Sequence, residues 1–223
     1  MRIDKFVHSC LRLTIGADRL LFDPGKFSFV DGRVDPAVFS DVSTIVLTHG
    51  HPDHIDPDAL ARIVQASGAT LVGNGEVTDK LGEKGLSVTV FEEGERTFGA
   101  FRLQAQPVAH EPILSDESPQ LTAFLVNDVF LNPGDSFDSR LDRFAGVEVL
   151  ALPVMAPYLT ELTVHAFAKR MKPKSVVPVH DGYARDYFLR QRYDVYEPYL
   201  DKAGIKLHRP MAPGDGFDVS DHD

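Results

Sequence analysis

Cysteine is nearly missing from this sequence, which carries a single one, Cys10, among 223 residues. One cysteine cannot form a disulfide within the chain, so a disulfide-stapled fold of the secreted kind is excluded. The composition fits the reducing cytosol instead. Because no partner motif surrounds Cys10, we interpret it as a small core residue in a strand.

Long hydrophobic runs are missing as well. No segment approaches the roughly 18 uninterrupted apolar residues that indicate a membrane-spanning helix. The opening residues Met1–Phe6 also lack the long apolar stretch of a signal peptide. We therefore expect a cytoplasmic chain with no membrane partner.

Basic residues are in deficit, with 23 Lys+Arg against 33 Asp+Glu and a formal net charge of −10. A negative surface repels a phosphate backbone, so nucleic acid is not the expected partner and a small-molecule substrate is. One dense cluster of basic residues stands out in the sequence, formed by Lys169, Arg170, Lys172 and Lys174. We interpret this cluster as a solvated helix end.

Strand and helix patterns alternate along the chain, which predicts an α/β fold. A chain of this length can bury a full core, and the absence of a low-complexity linker favours one domain over residues 1–223. We predict strands within 6–15, 20–22, 70–72, 88–131, 147–152 and 175–179, and helices within 57–67, 75–84, 160–171 and 183–203. Residues 25–41 and 111–120 are predicted to be loops.

The most informative segment is residues 49–54, which read HGHPDH and follow the apolar run 44–47. Imidazole and carboxylate groups are ligands of zinc and similar cations. By composition, this pattern arises by chance on the order of once in a thousand such sequences. His49 and His51 can point to one side, while Asp53 and His54 can serve a second ion. The motif thus supplies at most two ligands for each of two metals.

Three further candidate ligands share one position, directly after an apolar strand and before a turn: His110, Asp135 and His180. That position would place all three along one edge of the sheets. A carboxylate such as Asp135 can bridge two cations, and two such cations can share a hydroxide.

Taken in this order, these residues resemble the metallo-β-lactamase superfamily of metal-dependent hydrolases. The resemblance runs from Phe6 to about Gly182, and the motif at 49–54 is its most specific part. It implies an α/β fold, a four-layer αββα sandwich with the site on its edge. It also assigns the ligands, with His49, His51 and His110 at metal site 1, Asp53, His54 and His180 at metal site 2, and Asp135 bridging.

Within the superfamily, the chain looks most like the branch that includes L-ascorbate-6-phosphate lactonase. The segments Val7–Cys10, Leu21–Pro24 and Val177–His180 are similar to the "G-H-[AS]", "D-P" and "P-x-H" segments of that branch. One departure is Val7, which stands where the branch usually has glycine.

The resemblance implies a hydrolase with two divalent metal ions, for which zinc is favoured and manganese or iron also fits. A bridging hydroxide would cleave a small ester, lactone, amide or phosphoester, with Asp53 as the catalytic residue that orients it. Two alternatives stay open. One is a phosphodiesterase or nuclease of the same superfamily, and the other is a non-catalytic metal-binding protein with this fold. A redox relative is less favoured, because neither a flavin domain nor an acidic residue in place of a ligand histidine is visible.

Three other residues are candidates for the surroundings of the metals. We consider His8 as a pocket residue or a buried strand histidine, and Tyr158 as a pocket residue. Asp56 suits the N-cap of the helix at 57–67, accepts a hydrogen bond from a ligand imidazole, or does both. The aromatic region 183–203 is expected to pack on the core, with packing on a second copy of the chain as the alternative.

Overall fold

The computed structural model describes residues 1–219. Fourteen strands, five α-helices and three 3-10 helices lie within that part of the chain. The strands are β1 (Arg2–Lys5), β2 (Leu11–Ile15), β3 (Asp18–Phe22), β4 (Thr44–Val46), β5 (Thr70–Gly73), β6 (Val88–Val90), β7 (Gly94–Phe98), β8 (Phe101–Val108), β9 (Leu121–Val126), β10 (Phe130–Asn132), β11 (Val149–Pro153), β12 (Ser175–Val179), β13 (Lys206–Leu207) and β14 (Asp215–Asp218). The α-helices are α1 (Lys26–Phe29), α2 (Pro57–Ser67), α3 (Gly75–Gly82), α4 (Glu161–Met171) and α5 (Asp186–Lys202), and the 3-10 helices span Val30–Gly32, Pro36–Phe39 and Ser139–Phe144.

The strands form two seven-stranded sheets of matching design. The first has the order β14-β1-β2-β3-β4-β5-β6, antiparallel from β14 to β3 and parallel from β3 to β6. The second has the order β13-β12-β11-β10-β9-β8-β7, parallel from β13 to β10 and antiparallel from β10 to β7. Both sheets are therefore mixed, and the predicted α/β class is confirmed.

The two sheets pack face to face because alternate residues of each strand point to opposite sides. In β3, Leu20 and Phe22 belong to the apolar cluster between the sheets, whereas Leu21 belongs to the cluster under the helices. In β11, Val149 faces the other sheet and Leu150 faces the opposite side. Strands buried on both faces are apolar throughout, which explains why they read as continuous hydrophobic runs in the sequence.

Helices cover the outer face of each sheet. Leu60 of α2 and Leu81 of α3 pack on the first sheet, while Phe167 of α4 and Tyr193 of α5 pack on the second. The layers thus run helix, sheet, sheet, helix, which confirms the expected four-layer sandwich. Among the helices of residues 1–219, none is both long enough and apolar enough to cross a membrane.

Helix α2 begins and ends where the sequence predicts. The side chain of Asp56 accepts hydrogen bonds from the backbone N–H groups of Asp58 and Ala59, and Pro57 takes the first helical position. Gly68 ends the helix in the left-handed conformation, with φ of 69°. This helix starts directly after the segment 49–54 and therefore fixes one end of it.

Several local predictions differ from the structure. The predicted strand at 6–15 is a turn followed by β2, because His8 adopts a φ of 63° that no strand allows. Cys10 is buried as predicted, but it lies in that turn rather than in a strand. Residues 25–41, predicted to be a loop, contain α1 and two 3-10 helices, whose few residues give no periodic signal.

The polar segments after β3, β4, β10 and β12 meet at one edge of the sandwich. The segment after β3 packs closely on the segment 49–54, where Lys26 N–H donates to the carbonyl of Pro52 at 2.9 Å. A Cβ atom on Gly25 would lie 1.8 Å from the carbonyl oxygen of Asp53. Glycine is therefore required at position 25 for the two segments to touch.

We predict that Gly25→Ala lowers the free energy of unfolding by about 1–3 kcal/mol, because the new methyl group meets a main-chain carbonyl that cannot rotate away. The matched control is Gly82→Ala, where nothing lies within 4 Å of the added Cβ. Urea denaturation of both variants is the measurement. Equal stability of the two variants would show that the segments do not touch as described.

Candidate metal centre

Seven side chains converge at this edge from four segments of the chain. His49, His51, Asp53 and His54 follow β4, while His110 follows β8, Asp135 follows β10 and His180 follows β12. The structure brings together all seven residues that the sequence predicts as ligands. Their ligand atoms form two adjacent clusters.

The first cluster consists of His49, His51, His110 and Asp135, whose ligand atoms all lie within 4.8 Å of one another. His49 Nε2 is 3.1 Å from His51 Nδ1. The Oδ2 atom of Asp135 is 3.5 Å from His110 Nε2 and 3.8 Å from His49 Nε2. Three nitrogens and one carboxylate oxygen at this spacing match the donor set of a zinc-type cation.

The second cluster consists of His8, Asp53, His54 and His180, again within 4.8 Å of one another. The Oδ2 atom of Asp53 lies 3.1 Å from His8 Nε2 and 3.3 Å from His180 Nε2. The sequence predicts Asp53, His54 and His180 here, and the structure adds His8 beside them.

Asp135 stands between the clusters. Its Oδ1 atom is 3.3 Å from His54 Nε2, and its Oδ2 atom is 2.9 Å from His180 Nε2. The same carboxylate faces His110 of the first cluster. It is buried and lies within reach of both clusters, which is the position that a bridging ligand requires.

Asp23, at the end of β3, orients one imidazole of each cluster. Its carboxylate accepts hydrogen bonds from the Thr48 backbone N–H, the Thr48 hydroxyl and His54 Nδ1, at 2.8, 2.8 and 3.0 Å. Because the Thr48 hydroxyl donates to Asp23, its oxygen accepts from His49 Nδ1 at 3.0 Å. In their neutral forms, both imidazoles therefore turn an unprotonated Nε2 toward the centre.

Backbone carbonyls orient two more imidazoles in the same way. His110 Nδ1 donates to the carbonyl of Glu111 at 2.6 Å, and His180 Nδ1 donates to the carbonyl of Met155 at 2.5 Å. Within residues 1–219, the buried atoms His54 Nε2, His110 Nε2 and Asp135 Oδ1 make no hydrogen bond. Buried polar atoms normally have partners, so these inward-facing lone pairs fit metal ions.

The electrostatics of the centre favour positive charge. Burial alone would lower the pKa of His180, but the neighbouring Asp135 carboxylate outweighs it and raises the pKa to about 9. Asp135 likewise outweighs burial at His54 and raises its pKa well above the ordinary value. Burial would raise the pKa of Asp135, but the His54 and His180 imidazoles hold it well below the usual range. The carboxylate thus stays ionised at neutral pH.

Tyr158 and Asp56, the other two residues predicted to surround the metals, have different positions. Tyr158 reaches the centre, and its hydroxyl donates to Asp135 Oδ2 at 2.9 Å. Asp56 caps the start of α2, where its Oδ1 atom accepts from the backbone N–H groups of Asp58 and Ala59. Among the described residues, its side chain makes no hydrogen bond with a candidate ligand imidazole, so the structure shows the cap and not the second role.

A cavity of about 420 Å³ opens over the centre. Its floor contains four of the candidate ligands, and its walls are mainly apolar and aromatic, formed by Lys26, Phe27, Pro52, Ile113, Pro157, Tyr158 and Tyr183. Asp23, Thr48, Lys26 and Phe27 are not among the site residues predicted from the sequence. Asp23 had a signal that could have found it, because it directly follows an apolar strand, as His110, Asp135 and His180 do.

We predict that Asp23→Ala weakens zinc binding by about 10–100-fold, because His54 and the Thr48–His49 pair lose the group that orients them. The matched control is Asp41→Ala, which breaks only a half-exposed ion pair with Arg19. Zinc affinity is measured by competition with a chromophoric chelator. Unchanged affinity in a folded Asp23→Ala protein would contradict the orienting role.

Comparisons with known proteins identify the family of this chain. Residues 2–180 match the model of the "Beta-lactamase superfamily domain". The chain is similar to Protein Rv0786c of Mycobacterium tuberculosis, with 30% identity over 82% of this chain and 84% of that protein. It is also similar to a UPF0173 metal-dependent hydrolase of Methylobacterium nodulans, with 29% identity over 94% and 96% of the two chains.

The solved structure of Igni18, a metallo hydrolase from Ignicoccus hospitalis, shares the fold with a TM-score of 0.71 and 20% identity, over 98% of this chain and 99% of that one. The chain therefore belongs to the metallo-β-lactamase superfamily, in which its relatives include proteins named metal-dependent hydrolases.

Proposed function

We propose that the chain binds two divalent cations and hydrolyses a small ester, lactone, amide or phosphoester. His49, His51 and His110 would hold one cation, Asp53, His54 and His180 the other, with Asp135 shared between them. The observation that carries this proposal is the pair of donor clusters joined by one buried carboxylate. Zinc is the favoured ion, and manganese or iron also accepts such mixed imidazole and carboxylate ligands.

When bound, two such cations supply Lewis acidity and a water of lowered pKa, which is the chemistry of metal-assisted hydrolysis. Asp53 is the proposed catalytic residue because it lines the cavity and is partly exposed. Burial would raise its pKa, but hydrogen bonds with His180 and His8 hold the pKa well below the ordinary value. Such a weak base orients a water better than it keeps a proton.

Tyr158 is the proposed donor to the substrate. Burial and the nearby Asp135 raise the pKa of its hydroxyl, so the group stays protonated at neutral pH. It also lines the cavity above the ligands. This O–H donates to Asp135 Oδ2 in the structure, and it would have to turn from that oxygen to stabilise one on which negative charge develops during hydrolysis.

The cavity supports a small substrate over a polymer. Its volume of about 420 Å³ suits a small molecule, and Lys26 is the one lysine or arginine among its lining residues. Together with the net charge of −10, this makes a polynucleotide a poor substrate. The resemblance to the lactonase branch makes lactones the first substrates to test.

We predict that the purified chain carries about two transition-metal ions and that His51→Ala lowers turnover by more than about 100-fold, since even a residue that only orients a ligand costs 10–100-fold. The control is His165→Ala in α4, whose ring contacts Tyr199 away from the centre. Elemental analysis and a panel of lactones, phosphoesters and thioesters are the measurements. A folded chain that takes up no metal, or full activity of His51→Ala, would contradict the proposal.

A further inference from the structure

His8 is the residue of the second cluster whose role the donor geometry alone leaves undecided. Its Nε2 atom is 3.1 Å from Asp53 Oδ2, which is close enough for both atoms to bind one cation. The centroid of its ring is 4.2 Å from that of His180. The side chain is buried, with 1% exposure. His8 is therefore either a fourth ligand of the second cation or a partner of Asp53.

The hydrogen bond on the other side of the ring distinguishes these roles. The backbone N–H of Gly182 donates to His8 Nδ1 at 3.0 Å. A backbone amide can only donate, so Nδ1 is unprotonated, and the neutral ring carries its proton on Nε2. This tautomer is the reverse of the one found for His54, His110 and His180, whose Nδ1 atoms donate outward.

We infer that His8 is a positioning residue that donates a hydrogen bond from Nε2 to Asp53 and does not bind a metal. Metal ligation requires a nitrogen lone pair, and the proton on Nε2 occupies it. The inference rests on the proposed metal centre, and it assigns His8 to the orientation of one ligand of that centre. Because His8 does not line the cavity, it acts through Asp53 rather than on the substrate.

The backbone amide of Gly182, which donates to His8 Nδ1, is held firmly in place. A Cβ atom on Gly182 would lie 2.7 Å from the Cβ of His8, so only glycine allows the approach. The preceding Asp181 is buried, ion-paired with Lys5, and accepts a hydrogen bond from the Tyr193 hydroxyl at 2.6 Å. These contacts tie the Gly182 amide to β1 and α5.

The backbone of His8 itself is equally constrained. His8 adopts a φ of 63°, a left-handed conformation that costs energy for any residue with a side chain. That backbone conformation belongs to the turn between β1 and β2, in which Cys10 N–H donates to the carbonyl of Val7. A strained, fully buried imidazole between a fixed amide and Asp53 fits a residue that holds a carboxylate at one angle.

Three variants test this inference with zinc as the only added metal. We expect His8→Gln and His8→Ala to bind two zinc ions per chain, whereas His54→Gln, the matched ligand change, retains about one. In His8→Ala, kcat for the panel substrate that the unaltered chain hydrolyses should fall by about 10–100-fold with KM nearly unchanged, because Asp53 loses its hydrogen-bond donor. His8→Gln should recover part of kcat, because the glutamine amide can donate to Asp53. Loss of one zinc ion from His8→Gln would overturn the inference.

Nuclear magnetic resonance of the unaltered chain gives a second test that does not depend on the folding of a variant. In protein with ¹⁵N-labelled histidine and bound ¹¹³Cd, the His54 Nε2 signal should show coupling to cadmium. The His8 signals should show a protonated Nε2, a bare Nδ1 and no such coupling. Coupling at His8 would overturn the inference and leave the proposed function intact, whereas failure to bind any cation would reject the proposed metal centre itself.

Discussion

The buried carboxylate of Asp135 is the group on which the rest of the structure depends. Its oxygens lie within 3.8 Å of four imidazole nitrogens, those of His49, His54, His110 and His180. A carboxylate without water is costly to bury unless positive charge compensates it. Protons on the neighbouring imidazoles can provide that charge in part, and the two proposed cations would provide it more fully. In the proposed centre, folding, metal affinity and catalysis would thus be linked through one side chain.

The fold makes this arrangement rigid. Asp23 and His180 directly follow β3 and β12, and both adopt a positive φ, as His8 does, at 43°, 62° and 63°. Such conformations cost about 1–3 kcal/mol each and persist only where the surrounding structure enforces them. Close packing of Gly25 on Asp53 and of Gly182 on His8 provides that enforcement. The candidate ligands are therefore carried by segments that pack directly on one another.

A residue's role can be predicted from the sequence when the pattern that defines it is local in the chain. The candidate ligands at 49–54 form one short motif, and His110, Asp135 and His180 can be found because each follows an apolar strand. The orienting role of Asp23 depends on Thr48 and His54, which lie 25 and 31 residues away. The tautomer of His8 depends on Gly182, 174 residues away. No periodic pattern encodes such contacts, and Asp56 shows the converse, since an acidic residue next to the motif serves only a helix cap.

Anomalous diffraction from crystals of the zinc-loaded chain tests the central claim most directly. We expect two peaks, about 3.5–4 Å apart, with the carboxylate of Asp135 in contact with both and His8 in contact with neither. A single peak, or two peaks that do not share Asp135, would contradict the proposed centre.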